Sequence, residues 1–420
     1  MFLSRPILKP RADRGPLRVL FAINNLEVGG AEMLTYELVR RLDRSRFAAE
    51  VACMRETGEL GRRLLGEIPV HANLLAAKFD LRVLWKLTRL LRRGRFDAIV
   101  TVGAGDRMFW GRLAAGLART PVVISALHST GWPDVVGRLN RMLTPLSSAF
   151  VGCAEPHAVY LREVERFPAE RVHWIPNGVD TVKFQPAPRN EKFREELGLH
   201  PRHKIVGLVA QLRPEKNHEL FLETAALVLR SEPQTQFVLV GHGPRRDDLE
   251  ALAVRLGIAK NVHFLGARRD VPELLRLFDV FCLTSKIEAN PVSILEAQAS
   301  GVPVVATRVG SIPQTVIPGQ TGYLAESGNA VELSTHLLRL LQDEPHRQQV
   351  GAQARENVIQ HWSLERMVEG YEALIETLYD QARGEDANST GKPAHPSTAS
   401  ATSVPAADEE PAHDAACAAL

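Results

Sequence analysis

The chain has 420 residues, 45% of them hydrophobic, and a formal net charge of +2. This length exceeds one ordinary hydrophobic core and predicts two domains of about 150–200 residues each. The first residues lack the apolar core of a signal peptide and no run of 18 uncharged apolar residues occurs, so we expect a cytoplasmic protein with no transmembrane span.

Short β-branched runs alternate with helix-length amphipathic segments, which is the pattern of parallel sheets built from βαβ units. In the first half, strands are predicted at 18–23, 49–54, 98–102, 122–127 and 149–154. Three cysteines lie in strand-like runs and are expected to be buried thiols: Cys53, Cys153 and Cys282. The basic amphipathic stretch 82–93 is predicted to be a helix that packs on the core or, alternatively, lies on an anionic membrane.

In the second half, strands are predicted at 204–210, 236–241, 262–266, 280–285 and 302–307, and helices at 331–342 and 363–380. The segment 179–190 has two prolines and no periodicity, as a linker would. The predicted units are an extension at 1–16, domains at 17–185 and 186–362, a final helix at 363–383 that packs back on the first domain, and a disordered tail at 384–420. The fold class is α/β, with two Rossmann-like, doubly wound domains that face a central cleft.

Glycines follow the first predicted strand. Gly29 and Gly30 would let the backbone approach a ligand closely at the start of a helix, although a glycine pair is also common in ordinary turns. His128 ends the strand 122–127 and has either a structural or a catalytic role. Asp106, Arg107 and Trp132 are further candidate site residues in this half of the chain, although no motif supports them.

Two cations lie in the loop that follows the strand 204–210. Arg213 and Lys216 stand in a short proline-containing loop before a helix that is predicted to begin near Asn217. Because helix N-termini favour anions, this loop suits a diphosphate group, with Arg213 binding bidentately and Lys216 acting as a point charge. Solvated surface charges are the alternative interpretation.

Two glutamates follow the strand 280–285. Glu288 is predicted to lie in the loop and Glu296 on the second turn of a helix that Pro291 opens as its first-turn residue. Carboxylates accept several hydrogen bonds, so this pair could hold a sugar hydroxyl and a ribose diol at once. No Asp-x-Asp sequence is present to hold a metal ion against a diphosphate.

The segment SKIEANPVSILEAQASGVPVVAT (285–307) resembles the E-x7-E region of the family 4 retaining glycosyltransferases, which have the two-domain GT-B fold. The GGAE motif at 29–32 is also present, and the family's GR-x-x-x-x-K motif reads here with Gln211 before Leu212 and Arg213. Three further segments match in order and spacing, although each is also explained by a simple turn. They are 173–184, which contains Asn177 and Gly178, VGHGP at 240–244, and 264–275.

The resemblance implies that Glu288 contacts the transferred sugar, Glu296 holds the ribose, and Arg213 and Lys216 stabilise the leaving diphosphate. It implies that His128 lies near the reacting centre and that no metal or other cofactor is needed besides a UDP- or GDP-type nucleotide sugar. The remaining donor-binding positions are Gly29, Gly30, Gly241, Ala267, Arg268, Ala289, Asn290, Pro291 and Val292.

The expected acceptor is a glycan or a lipid-linked hydroxyl in cell-surface polysaccharide, lipopolysaccharide or glycolipid synthesis. The first half is more basic than the second, which suits an anionic membrane surface, although a solvated Arg-rich surface is an equally simple explanation. No nucleic-acid partner is expected. Two alternatives stay open: another GT-B enzyme, such as a sugar-nucleotide epimerase or a phosphorylase, and a non-catalytic sugar-binding protein.

Overall fold

A computed structural model describes residues 15–76, 80–128 and 140–384, which form two α/β domains. The first contains a seven-stranded sheet in the order β3-β2-β1-β4-β5-β6-β7, and the second a six-stranded sheet in the order β10-β9-β8-β11-β12-β13. All neighbouring strands pair in parallel. In both sheets the strand order reverses beside the first strand, and ligands of such folds bind outside the carboxyl ends of the strands at this point.

The first-domain strands are β1 (Leu17–Ile23), β2 (Phe47–Cys53), β3 (Val70–His71), β4 (Ala98–Val102), β5 (Val122–Leu127), β6 (Ala149–Gly152) and β7 (Val172–Trp174). The helices are α1 (Gly30–Arg41), α2 (Gly58–Leu64), α3 (Arg82–Gly94), α4 (Asp106–Ala118) and α5 (Glu155–Glu163). Every residue of β4 and β5 is buried, as expected for strands covered by helices on both faces. In α3, Val83, Leu87 and Leu91 form one buried stripe, so this helix packs on the core.

The second-domain strands are β8 (Ile205–Val209), β9 (Gln236–Val240), β10 (Val262–Gly266), β11 (Val280–Leu283), β12 (Val304–Thr307) and β13 (Gly322–Ala325). Its helices are α6 (Glu191–Glu196), α7 (His218–Val228), α8 (Arg246–Arg255), α9 (Val271–Leu277), α10 (Val292–Ala299), α11 (Ile312–Thr315), α12 (Ala330–Gln342) and α13 (Glu344–His361). Asn329 caps α12, since its side chain accepts a hydrogen bond from the backbone N–H of Glu332.

The last helix, α14 (Leu364–Arg383), returns to the first domain. Its apolar face belongs to the same buried cluster as β1, β2 and α1 and contributes Leu364, Met367, Val368, Tyr371, Ile375, Leu378 and Tyr379. Arg46, before β2, forms ion pairs with Glu372 and Glu376 of this helix at 2.8 and 2.5 Å. The chain therefore crosses twice between the domains, and the backbones of Val179 and Trp362 are hydrogen-bonded where the crossings meet.

All ten strands predicted from the sequence are present, three of them with the predicted bounds and seven with shifted ends, and three short edge strands, β3, β7 and β13, were not predicted. Helix α13 was also missed. Strand β8 ends at Val209, one residue before the predicted end, so the loop that carries Arg213 is one residue longer than predicted. The three cysteines named above are buried. The extension before residue 15 and the tail after Gly384 lie outside the described residues, and of the helices described, none combines the length and apolarity needed to cross a bilayer.

Candidate functional site

The loops after β8 and β11 meet in a partly buried ion pair. Lys216 Nζ lies 2.5 Å from Glu288 Oε1, and the Ser285 hydroxyl donates to the same oxygen at 2.7 Å. Glu288 is only 8% exposed. The Lys286 N–H donates to the Glu215 carbonyl at 2.8 Å, so backbone as well as side chains bind the loops together. The structure thus places two of the predicted site residues in direct contact at the carboxyl edge of the second sheet.

Arg213 lies beside this pair without joining it. It precedes a single 3-10 turn, Pro214–Lys216, and its side chain is 57% exposed. Its nearest acidic partner is Glu215, at 3.9 Å. An ion pair of this length and exposure contributes little stability, so the Arg213 guanidinium is able to exchange Glu215 for an anionic ligand.

The loop 288–291 is fixed by close contacts with residues 310 and 311. The Ser311 hydroxyl donates to the Ala289 carbonyl. Gly310 has a φ of +54°, and a Cβ there would lie 1.7 Å from the Glu288 carbonyl oxygen, so only glycine fits. Asn290 is 7% exposed, yet neither its Nδ2 nor its Oδ1 has a hydrogen-bond partner among the described residues. Because a buried amide without partners is costly, this side chain is suited to bind a polar ligand.

Helix α10 begins one residue later than predicted. Pro291 is the N-cap residue with a ψ of 112°, and Val292 is the first helical residue. The N-cap provides no side-chain acceptor, and the Ile294 N–H donates to the Pro291 carbonyl at 3.1 Å, so the N–H groups of Val292 and Ser293 are the ones available to an anion. Val292 also packs against the core of the first domain. Glu296 lies on the second turn, where burial raises its pKa to about 7, an effect that Lys183 opposes.

The loops after β9 and β10 form a further part of this edge. The Gly241 N–H donates to the Gly266 carbonyl at 2.8 Å, and a Cβ on Gly241 would lie 1.9 Å from the Ala210 carbonyl oxygen. Ala267 is exposed. Arg268 forms two hydrogen bonds with Asp270, at 2.9 and 2.5 Å, so its side chain is turned toward its own loop. The structure does not bring Arg268 to the Lys216–Glu288 pair.

On the first-domain side, Gly29 is the N-cap of α1 and Gly30 its first residue, and neither provides a side-chain cap. His128 directly follows β5. Burial, together with nearby His157 and Arg107, lowers the pKa of His128 to about 4, so the imidazole is neutral at physiological pH. Arg107 donates to the Val102 carbonyl at 2.7 Å. The side chain of Asp106 and all of Trp132 lie outside the described residues.

Sequence reasoning missed one residue at the centre of the cleft. Asn177 was interpreted only as part of a turn, but it is 4% exposed and its amide Nδ2 donates to the Asn290 carbonyl at 3.0 Å. Its side chain also lies beside His128 and opposes the lowering of the imidazole's pKa by burial. The only signal in the sequence is a polar residue just after a strand that is itself too short to predict.

Comparison with known proteins agrees with this architecture. The family model described as Glycosyltransferase Family 4 matches residues 28–183, and the model described as Glycosyl transferases group 1 matches residues 189–357. EpsF of Bacillus subtilis strain 168, which is named a glycosyltransferase, is 31% identical over 308 residues, covering 69% of this chain and 78% of EpsF.

A second relative is the GDP-mannose-dependent α-(1-6)-phosphatidylinositol monomannoside mannosyltransferase of Mycobacterium tuberculosis strain CDC 1551. It is 30% identical over 339 residues, which are 76% of this chain and 80% of that enzyme. Among solved structures, HepE from Anabaena in complex with UDP and glucose has a TM-score of 0.77 and 23% identity, covering 86% of this chain and 100% of HepE.

These names do not favour the alternatives of an epimerase, a phosphorylase or a non-catalytic sugar-binding protein. The match of two adjoining family models to the two structural domains, together with the extended similarity to EpsF, is decisive for the family. The chain belongs to family 4 of the glycosyltransferases and has the two-domain GT-B fold.

Proposed function

We propose that the chain transfers a sugar from a nucleoside diphosphate sugar to an acceptor hydroxyl without a metal ion and with retention of the anomeric configuration. The observation that carries this proposal is the partly buried Lys216–Glu288 pair beside the Asn290 side-chain amide, for which the described part of the chain offers no hydrogen-bond partner. A cation, a carboxylate and an amide in one loop cluster match a ligand that has a diphosphate at one end and hydroxyls at the other.

The leaving diphosphate would bind where positive charge is already fixed. Lys216 is held by Glu288, Arg213 reaches the solvent nearby, and the first-turn N–H groups of α10 carry the positive end of the helix dipole. Preorganised donors of this kind stabilise charge that develops in the transition state, which is the task a divalent cation performs in other transferases. We therefore expect an excess of a chelator to leave the transfer rate unchanged.

Retention is supported by the environment of Glu288. Its Oε1 already accepts hydrogen bonds from Lys216 and Ser285, so this carboxylate is suited to orient a sugar hydroxyl rather than to attack the anomeric carbon. In the proposed reaction the acceptor attacks from the face that the diphosphate leaves, and the leaving oxygen takes the acceptor proton. Glu296 holds the ribose diol, and neutral His128 lies on the acceptor side.

The test combines donor turnover with product stereochemistry. Glu288→Ala and Lys216→Ala should each lower turnover of the best UDP- or GDP-sugar, while a product formed by the wild-type enzyme should keep the donor's anomeric configuration in its NMR coupling constant. If both variants fold and turn over donor at the wild-type rate, the site assignment is wrong. An inverted product would refute retention without affecting the site.

We further propose that the acceptor is linked to a membrane lipid and that α3 faces the membrane surface. Trp85 and Leu81 are 62% and 71% exposed, although the helix also has a fully buried stripe. The same helix carries cations at Arg82, Lys86, Arg89, Arg92 and Arg93, and the Arg89 guanidinium lies over the Trp85 ring. Exposed aromatic and basic residues on one helix are typical of binding to anionic lipid surfaces.

Vesicle co-sedimentation tests this docking proposal. The wild-type protein should bind vesicles that contain phosphatidylglycerol more strongly than vesicles of phosphatidylcholine alone, and Trp85→Ser should reduce that binding. Val182→Ser is the matched control, because Val182 is 75% exposed in the linker. Equal loss in both variants, or no preference for the anionic vesicles, would refute a docking role for α3.

A further inference from the structure

The side chain of Asn177, in the first domain, lies between two loops of the cleft, one from each domain. Asn177 follows β7, and its amide Nδ2 donates to the carbonyl of Asn290, 113 residues further along the chain. The same side chain lies beside the imidazole of His128, at the end of β5, and interacts with it. Since its nitrogen donates to Asn290, its oxygen is the atom left to face the His128 ring.

The place of Asn177 in the chain makes this bridge sensitive to the position of the domains. Two residues later, the Val179 N–H donates to the Trp362 carbonyl at 2.9 Å, and the Val179 carbonyl accepts from the Leu364 N–H at 3.1 Å. These bonds join the two interdomain crossings. Asn177 therefore lies two residues from the point where the two interdomain crossings are hydrogen-bonded, and its side chain reaches the loop that would hold the donor sugar.

Two other polar contacts across the cleft differ from the Asn177–Asn290 hydrogen bond in their exposure to solvent. Arg269 pairs with Glu59 at 2.7 Å and Gln314 donates to Glu155 at 3.3 Å, but both contacts are exposed to water. The Asn177–Asn290 hydrogen bond is buried. In a low dielectric a hydrogen bond is stronger and breaking it leaves a costly unpaired group, so this contact fixes the relative position of its two loops far better than the exposed ones.

We propose that Asn177 is a positioning residue that aligns His128 with the donor loop 288–291 when the domains close. This inference rests on the proposed roles of His128 and of that loop. In the bridged arrangement the imidazole and the Asn290 carbonyl keep a fixed separation, with the donor sugar and the acceptor between the two domains. Small misplacements of reacting groups cost large factors in rate, so loss of the bridge should act on the chemical step.

The test compares Asn177→Ala with the isosteric Asn177→Asp. Aspartate keeps an oxygen for His128 but places a second oxygen against the Asn290 carbonyl, so both variants break the bridge and only alanine leaves a cavity. We expect each to lower kcat by about 100-fold, the scale of a 1 Å misplacement, while the Kd for UDP changes by less than about twofold. Gln314→Ala, which removes an exposed contact across the cleft, is the control and should keep the wild-type kcat.

The outcomes separate this inference from the proposed function. Donor turnover by the wild-type protein and its loss in Glu288→Ala establish the site first. On that background, wild-type kcat in both Asn177 variants would overturn the positioning role alone. A loss of kcat matched by an equal loss of UDP affinity or of folded protein would also overturn it, because it would show a merely structural role.

Discussion

Lys216 and Glu288 form a nearly buried ion pair although 72 residues separate them in the chain. Removing only one partner leaves a charge in a poorly hydrated place. We expect Lys216→Ala to lower the free energy of unfolding by about 2 kcal/mol, a value reduced from that of a fully buried pair because Lys216 keeps some contact with solvent. Chemical denaturation measures this loss.

The pair allows stability to be separated from activity. In Lys216→Ala/Glu288→Gln the unpaired charge is gone, so most of the lost stability should return. The transfer rate should stay about 100- to 1,000-fold below that of the wild type, the usual cost of losing a fixed charge that faces the transition state. Recovery of the rate together with stability would show that the pair only supports the fold.

Arg213 should behave in the opposite way. Its side chain is largely exposed and its ion pair with Glu215 is long, so Arg213→Ala should leave the free energy of unfolding within about 0.5 kcal/mol of the wild type. The rate should nevertheless fall, and Arg213→Lys should restore only part of it, because lysine keeps the charge but loses the bidentate geometry. Steady-state kinetics at saturating donor distinguish the two variants; equal rates in all three proteins would refute a role in catalysis.

The buried carboxyl group of Glu296 should make the free energy of unfolding depend on pH. Burial raises its pKa from the ordinary 4.5 to about 7, so between these values the folded protein holds a proton that the unfolded chain has lost. The contribution of Glu296 to stability is therefore largest below pH 4.5 and is lost as the pH rises to 7. We expect a difference of about 1–2 kcal/mol across this range, allowing for partial exposure, and Glu296→Gln should remove it in unfolding titrations.

The same group should couple nucleotide binding to protons. If the ionised carboxylate accepts hydrogen bonds from the ribose diol, UDP or GDP binds the ionised form better, and affinity rises as the pH increases from 5 to 8. Calorimetry at pH 6 in two buffers of different ionisation enthalpy should then detect proton release on binding. In Glu296→Gln both effects should disappear; a pH slope that persists in this variant would assign the titration to another group.

Gly310→Ala should displace the backbone of Glu288. The new Cβ would collide with the Glu288 carbonyl and would also strain the positive φ, so both stability and kcat should fall. Gly319→Ala is the matched control, since Gly319 has a φ of +76° with nothing within 4 Å of the added carbon. That variant should show only the strain, about 1–2 kcal/mol, with the wild-type kcat. Thermal unfolding and donor turnover check both.

The sequence predicted those parts of the fold that rest on local pattern. The central strands are continuous apolar runs, so their positions follow from the apolar pattern of the sequence. The positions of Lys216 and Glu288, each in the loop after such a strand, follow from the same pattern. Strand β3 has only two residues and β7 only three, and such short edge strands are defined by the neighbour they pair with. Helix α13 was missed because its apolar residues do not form a clear stripe.

A site residue could be predicted from the sequence where its position is set by the strand just before it in the chain. Lys216 and Glu288 follow strands, and Ser285 and Ser311 complete their surroundings through contacts that no spacing reveals. Asn177 was missed because its partners come from β5 and from the other domain. Arg268 stays a predicted donor-binding residue through the main-chain atoms of its loop, since Asp270 engages its side chain.

The last helix has a consequence for how the protein is made. Because α14 supplies part of the hydrophobic core of the first domain, that domain is still incomplete when the ribosome has finished the second one. The nascent first domain must therefore keep apolar surface uncovered until α14 has been synthesised, and its core closes only after the whole second domain has been translated.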